Sequence, residues 1–165
     1  MQNIVAHVKN PYPRIIIIST IINHDTLKYV ILDTINQLTV KSLFSNKFIL
    51  GILNSKLISW YVYRFVFANA IRTMHFDAVT TSKIPFPNIN FNNKKEKQLY
   101  DKLLKFVETM LELNARKQTV TLQTEKDTLQ HRIQHTVNEI DKIVYQLYGL
   151  SKSEIDLIEG NNFAG

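Results

Sequence analysis

Between Arg64 and Lys83 the chain gathers residue types suited to bases and phosphates: Arg64, Asn69, Arg72, Thr73, His75, Thr80, Thr81, Ser82 and Lys83. A guanidinium can bond two acceptors of guanine at once, and an asparagine amide can do the same for adenine. Lysine ammonium groups and Ser or Thr hydroxyls more often hold phosphate oxygens. Lys41 adds a cation upstream. The chemistry these types offer is nucleic-acid binding. The same composition equally suits a polar loop covering a sheet edge, and composition alone leaves the two readings level.

Other constellations carry less. His131 and His135 have the i, i+4 spacing of two zinc ligands on a helix, but a metalloprotease motif needs Glu at position 132, where Arg132 stands. With no third ligand in view they read as solvent-facing helix residues, and no metal site is expected. Glu108, Glu112, Glu139 and Asp141 fall on a regular helical stretch, where acids usually solvate an outer face. Asn10-Pro11-Tyr12 resembles the Asn-Pro-Pro-Tyr loop that binds the target base in adenine methyltransferases. It lacks the second proline and follows no Gly-rich cofactor loop, so it reads as an ordinary turn. No catalytic site and no enzyme activity of its own are expected.

The charge is divided unevenly. Residues 1–95 hold eleven Lys and Arg against Asp25, Asp33 and Asp77, a balance of +8, whereas residues 96–165 come to −2. Such a split implies that one part meets a polyanion while the other does structural work. Hydrophobic residues make up 45% of the 165, enough for a real core, and Gly and Pro number only four each, which favours long regular elements. The chain has no cysteine, which removes disulfides and thiolate metal sites and fits a cytoplasmic location. Residues 1–13 lack the build of a signal peptide. Residues 15–22 are too short to span a bilayer, and 48–67 are interrupted by Asn54, Ser55, Lys56 and Arg64, so no membrane partner is expected.

Several elements must position the candidate residues. Residues 1–45 read as β, with strands at 15–18, 21–22, 29–32 and about 35–40. These strands need partners, as though the chain began partway through a sheet. One helix is expected over 46–67, capped by Ser45 or Asn46. Lys47, Gly51, Asn54, Ser55 and Ser59 gather on one side of it, and Leu50, Leu53, Leu57, Trp60 and Tyr61 pack on the sheet. Pro85 and Pro87 keep 84–87 extended. Two heptad seams follow: Leu99, Leu103, Phe106, Met110 and Leu113, then Leu129, Ile133, Thr136, Ile140, Ile143 and Leu147. A short link between them predicts an antiparallel pair, its second helix capped by Thr121 or Thr124 and closed by Gly149 with Leu150 folded back on Val144 or Tyr145. Ser151 and Glu154 form a capping box for a last short helix. The expected fold is α+β: a small β-sheet recognition domain with a packed helix over 1–93, then an antiparallel two-helix, coiled-coil-like spacer and a short helix over 94–165.

Two stretches carry a family resemblance. GILNSKLISWYVYRF at 51–65, followed by TSKIPFP at 81–87, resembles the TaqI-like C-terminal specificity domain. In that family a Leu-Asn-Ser-Lys-Leu helix leads through a variable loop to an Ile-Pro-hydrophobic-Pro strand. Residues 125–160 are similar to the helical tail that follows such domains, and the likeness covers roughly 29–160. It implies a partial target recognition domain of a bacterial type IIG or type I-like restriction–modification adenine methyltransferase, and double-stranded DNA as partner. It also implies a methyltransferase domain, in the same or a partner protein, that would bind S-adenosylmethionine; no cofactor is expected within this chain. Asn54 and Ser55, inside the motif, are expected to satisfy neighbouring backbone, and Tyr145 and Tyr148 to pack where the helical pair closes on the domain. A helical interaction module that docks a partner or a second copy, with no DNA readout, is the alternative.

Overall fold

The computed structural model describes residues 1, 4–5, 8, 13–22, 35–38, 43–69 and 74–160. The elements run β1 (Ile4–Val5), α1 (Asn46–Leu53), α2 (Lys56–Tyr61), a π-helical turn (Val62–Val66), β2 (Met74–His75), α3 (Ala78–Ser82), α4 (Lys94–Thr119), α5 (Gln123–Leu147) and α6 (Lys152–Glu159). The expected small β-sheet is therefore overturned, because the structure is mostly helical. Among the described residues β1 and β2 form only a two-rung antiparallel ladder, Ile4 opposite His75 and Val5 opposite Met74. The strand expected at 29–32 lies outside the described residues. Ile35 forms a single bridge, and 36–38 belong to no strand.

The Ile-rich stretch explains the discrepancy. It alternates as a half-buried strand does: Ile15 and Ile17 are 1% and 2% exposed, Ile16 and Ile18 48% and 59%. Its neighbour, however, is a helix. The Asn54 Oδ1 accepts the Ser19 backbone N–H at 2.8 Å and the Ser19 hydroxyl at 2.7 Å, while its Nδ2 donates to the Ser19 carbonyl at 2.9 Å. The Ser59 hydroxyl accepts the Ile17 N–H at 3.2 Å. Two helix side chains thus supply hydrogen bonds that a second strand would otherwise give.

The same residues break the expected single helix. Asn54 closes α1, and Ser55 starts α2 by accepting the Ile58 N–H at 3.3 Å while donating to the Ile52 carbonyl at 2.7 Å. The expected division into a polar and an apolar side does not hold. Phe48, Leu50, Gly51, Ile52 and Leu53 are all buried in α1, and Ser55 and Ser59 are 1% and 7% exposed. A helix apolar all round is a core helix. Gly51 faces α4 so closely that a Cβ there would stand 2.9 Å from Leu103 Cδ1 and Val107 Cγ2.

Helices α4 and α5 pack along their length, joined by 120–122. Asn93 caps α4 by accepting the Lys95 and Glu96 N–H groups at 3.0 and 3.4 Å. Helix α5 begins after Leu122 with no side-chain cap, so neither Thr121 nor Thr124 plays that part. It ends as expected: Gly149 sits at φ 65°, and the Gly149 and Leu150 N–H groups return to the Gln146 and Tyr145 carbonyls. The Ser151–Glu154 capping box starts α6.

One hydrophobic core joins the two regions. Ile15, Ile17, Phe48, Ile52, Ile58, Val62 and Phe76 pack in the same cluster as Leu103, Val107, Ile143, Val144 and Ile158. Phe48, Ile52, Ile58 and Leu103 are fully buried, and each such side chain is worth about 1.5–3 kcal/mol of transfer free energy.

Candidate nucleic-acid interface

The candidate segment leaves the core at the π turn and returns to it at Phe76 and again at Ile84. The turn carries Arg64, whose guanidinium lies 5.5 Å from the Trp60 ring centroid, and the exposed Phe65. Phe65 meets Trp60 edge-on at 5.7 Å and Tyr61 at 5.4 Å. The chain then reverses through two non-glycine residues in the left-handed region, Ala68 at φ 50° and Asn69 at φ 58°. The Asn69 N–H donates to the Tyr63 carbonyl at 3.0 Å, leaving its side chain on the exposed side of the reversal. Asparagine tolerates this conformation better than most residues, which accounts for its place there.

Beyond it, His75 is exposed on β2, and α3 is built on Asp77. The Asp77 carboxylate accepts the Thr80 N–H at 2.7 Å. That backbone bond, joined by the Thr80 side chain, holds the Asp77 carboxyl below its ordinary range, and the Lys83 charge adds to it. The Thr81 hydroxyl donates to the Asp77 carbonyl at 2.8 Å, and the Ser82 hydroxyl to the Val79 carbonyl at 2.8 Å. Thr80 and Thr81 thus serve the first turn of α3 in this structure. Lys83 closes α3 with its side chain exposed, and Ile84, 5% exposed, anchors the segment in the core. The Pro85 carbonyl then accepts the Tyr148 hydroxyl at 2.7 Å, tying the end of α5 to the segment.

The structure thus places Arg64, Asn69, His75, Thr80, Thr81 and Lys83 along a segment that Val62, Phe76 and Ile84 anchor in the core. Arg72, Thr73 and Lys41 lie outside the described residues. Reasoning from polar types passed over Phe65, 64% exposed beside Arg64, although an exposed aromatic is a stacking surface for bases. The signal available was the aromatic run Trp60-Tyr61-Val62-Tyr63-Arg64-Phe65. Asn54 and Ser55 do satisfy neighbouring backbone, as expected. His131 and His135 are exposed on α5, and among the described residues no group of three His, Cys, Asp or Glu could hold a metal ion. No helix among them is long and apolar enough to cross a membrane.

No curated protein and no solved structure matches the chain. A family model does: that of the TaqI-like C-terminal specificity domain matches residues 11–86. The matched span holds the Leu-Asn-Ser-Lys-Leu junction between α1 and α2, the segment after it and the return at Ile84-Pro85, and it ends before α4. Such domains are typically non-catalytic and imply target recognition in restriction–modification, in partnership with DNA and a methyltransferase. Over residues 11–86 the chain is thus similar to the TaqI-like C-terminal specificity domain.

Proposed function

We propose that the part of the chain up to about residue 93 reads a short sequence in double-stranded DNA on behalf of a separate catalytic domain. The observation that carries this reading is the family match over 11–86, which contains every candidate contact. Arg64, Asn69, Arg72, His75 and Lys83 are the side chains proposed to meet the duplex, with Thr73, Thr80, Thr81 and Lys41 in support. Arg and Asn suit base edges, and Lys and Thr suit phosphates. Residues 94–165 act as the spacer that sets the distance to the partner domain. The catalytic partner is an adenine methyltransferase domain of a bacterial type IIG or type I-like system, and S-adenosylmethionine binds there.

The test is selection of bound duplexes from a random pool at near-physiological salt, where non-specific affinity is weak, about 10⁻⁴–10⁻⁶ M. An enriched motif of several base pairs, relaxed in Arg72→Ala and bound more weakly by Lys83→Ala, supports the reading. Failure to bind duplex DNA at all overturns it and shifts the weight to a protein partner docked on the helical pair.

A further inference from the structure

The region after residue 95 is net acidic, yet the fold does not distribute that charge evenly. Its acids are almost all engaged in ion pairs, hydrogen bonds or caps. Asp101 pairs with Lys97, Glu108 with Lys47, Glu125 with Arg116, Asp156 with Lys152 and Glu159 with Lys56. Glu96 bonds the Asn90 N–H and the Asn93 amide, Asp141 the Lys56 N–H, and Glu154 completes the capping box. Against this, Lys102, Lys105 and Arg132 are exposed and enter no salt bridge among the described residues.

These cations share a face of the helical pair. Glu139 marks it: its carboxylate accepts the Lys142 ammonium at 2.7 Å and also feels His135 and, across from α4, Lys102. Lys105 is one turn along α4 from Lys102, and Arg132 one turn along α5 from His135, so helical spacing keeps both on the same stripe. Glu139, held by Lys142, lies within it; Asp101 and Glu108, one turn to either side of Lys105, are held by Lys97 and Lys47, and Glu112 lies two turns beyond Lys105 toward the tip. The stripe also approaches the excursion. Lys142 is six residues, about 9 Å of helix, before Tyr148, whose hydroxyl holds the Pro85 carbonyl just past Lys83.

We infer that this face of the α4–α5 pair, through Lys102, Lys105 and Arg132, contacts the phosphate backbone of the duplex whose bases the 11–86 domain reads. The inference rests on the DNA-reading proposal above and extends it: the spacer supplies sequence-neutral affinity. Exposed cations on a helical face release counterions when they meet phosphates, and base edges have no part in that term.

The test compares three full-length proteins by duplex titration at several salt concentrations. They are wild type, a Lys102→Gln/Lys105→Gln/Arg132→Gln variant, and a Lys97→Gln/Lys117→Gln/Lys152→Gln control that removes the same charge elsewhere. The stripe variant is expected to bind more weakly, with its preferred sequence unchanged. Its slope of log affinity against log salt should flatten by about 0.9 for each phosphate it no longer neutralises. The control should keep most of the wild-type slope. Equal slopes in wild type and stripe variant overturn this inference while leaving the recognition reading intact, and so does an equal flattening in the control, which would mean net charge alone. A wild-type protein that binds no duplex overturns both.

Discussion

The buried carboxylate of Asp141 on α5 accepts the backbone N–H of Lys56 at 2.8 Å, at the first turn of α2. Asp141 is 3% exposed, and burial pushes its carboxyl up to about 6 against the opposing pull of the Lys56 N–H and charge; nearby Glu159 raises it further. Glu159 is itself held by the Lys56 ammonium and by the Tyr145 hydroxyl at 2.7 Å. One polar cluster therefore fixes α2, α5 and α6 to one another, directly beneath the Leu-Asn-Ser-Lys-Leu motif.

The pH dependence follows from the direction of that shift. A carboxyl raised in the folded state favours folding most below its unfolded value, 3.8, and that contribution disappears as pH rises through about 6. Asp141→Asn keeps an acceptor for the Lys56 N–H and removes the ionisation. It is expected to gain on the order of 1 kcal/mol over wild type at pH 8 and little at pH 4. Asp141→Ala leaves that N–H without its partner and should cost about 1–3 kcal/mol at pH 4, and less at pH 8, where it too removes the ionisation. Urea unfolding at the two pH values measures both. An Asn variant with the wild-type pH profile would show that Asp141 does not titrate in this range.

Gly51 tests how closely α1 meets α4. A methyl group there would meet Leu103 Cδ1 and Val107 Cγ2 at 2.9 Å, and Leu103 is fully buried with little room to move. Alanine would favour the helix by about 1 kcal/mol, but overpacking of about 1–3 kcal/mol works against it. Gly51→Ala is expected to destabilise, and Val107→Ala to relieve part of that effect. A double-mutant cycle with coupling near zero would mean that the helices separate without strain.

Much of this was legible in the sequence, and the rest has definite causes. The seams through Leu103 and Ile140, the Gly149 stop and the Ser151–Glu154 box are local signals, and each appears where its spacing put it. The sheet was not, because alternation in 15–18 reports only which side chains are buried. It does not report whether a strand or Asn54 and Ser59 satisfy the backbone. Gly51 and Ser59 read as a polar face because small residues look alike at a helix crossing and on a surface. Within the candidate interface the residue types were visible. The engagement of Thr80 and Thr81 by Asp77 and the exposure of Phe65 depend on backbone turns that no spacing encodes.

Tyr148 couples the helical pair to the excursion. Its hydroxyl donates to the Pro85 carbonyl at 2.7 Å, and burial pushes the phenol above its ordinary range, so it stays protonated as a donor. Tyr148→Phe removes that bond and little else, at a cost of about 1 kcal/mol. Greater proteolytic sensitivity at 83–87, with the helical content unchanged, is the expected result. Unchanged cleavage would show that the proline segment is held by Ile84 and Ile89 alone.

Asp77 provides the sharpest test of where the duplex lies. It is the acid in the Arg64–Lys83 excursion, and it caps α3 while facing the Lys83 charge. Asparagine caps a helix as well as aspartate does, so Asp77→Asn should keep α3 and remove one negative charge. If phosphates approach Lys83, affinity should rise a fewfold at low salt, less at high salt, with the preferred sequence retained. Asp77→Ala removes the charge and the cap together, and the loosened α3 should offset the gain. Duplex titration of the two variants at low and high salt separates the effects. An Asn variant that binds as wild type does at both salts would place the DNA away from α3 and leave Arg64, Asn69 and Arg72 to carry the contact.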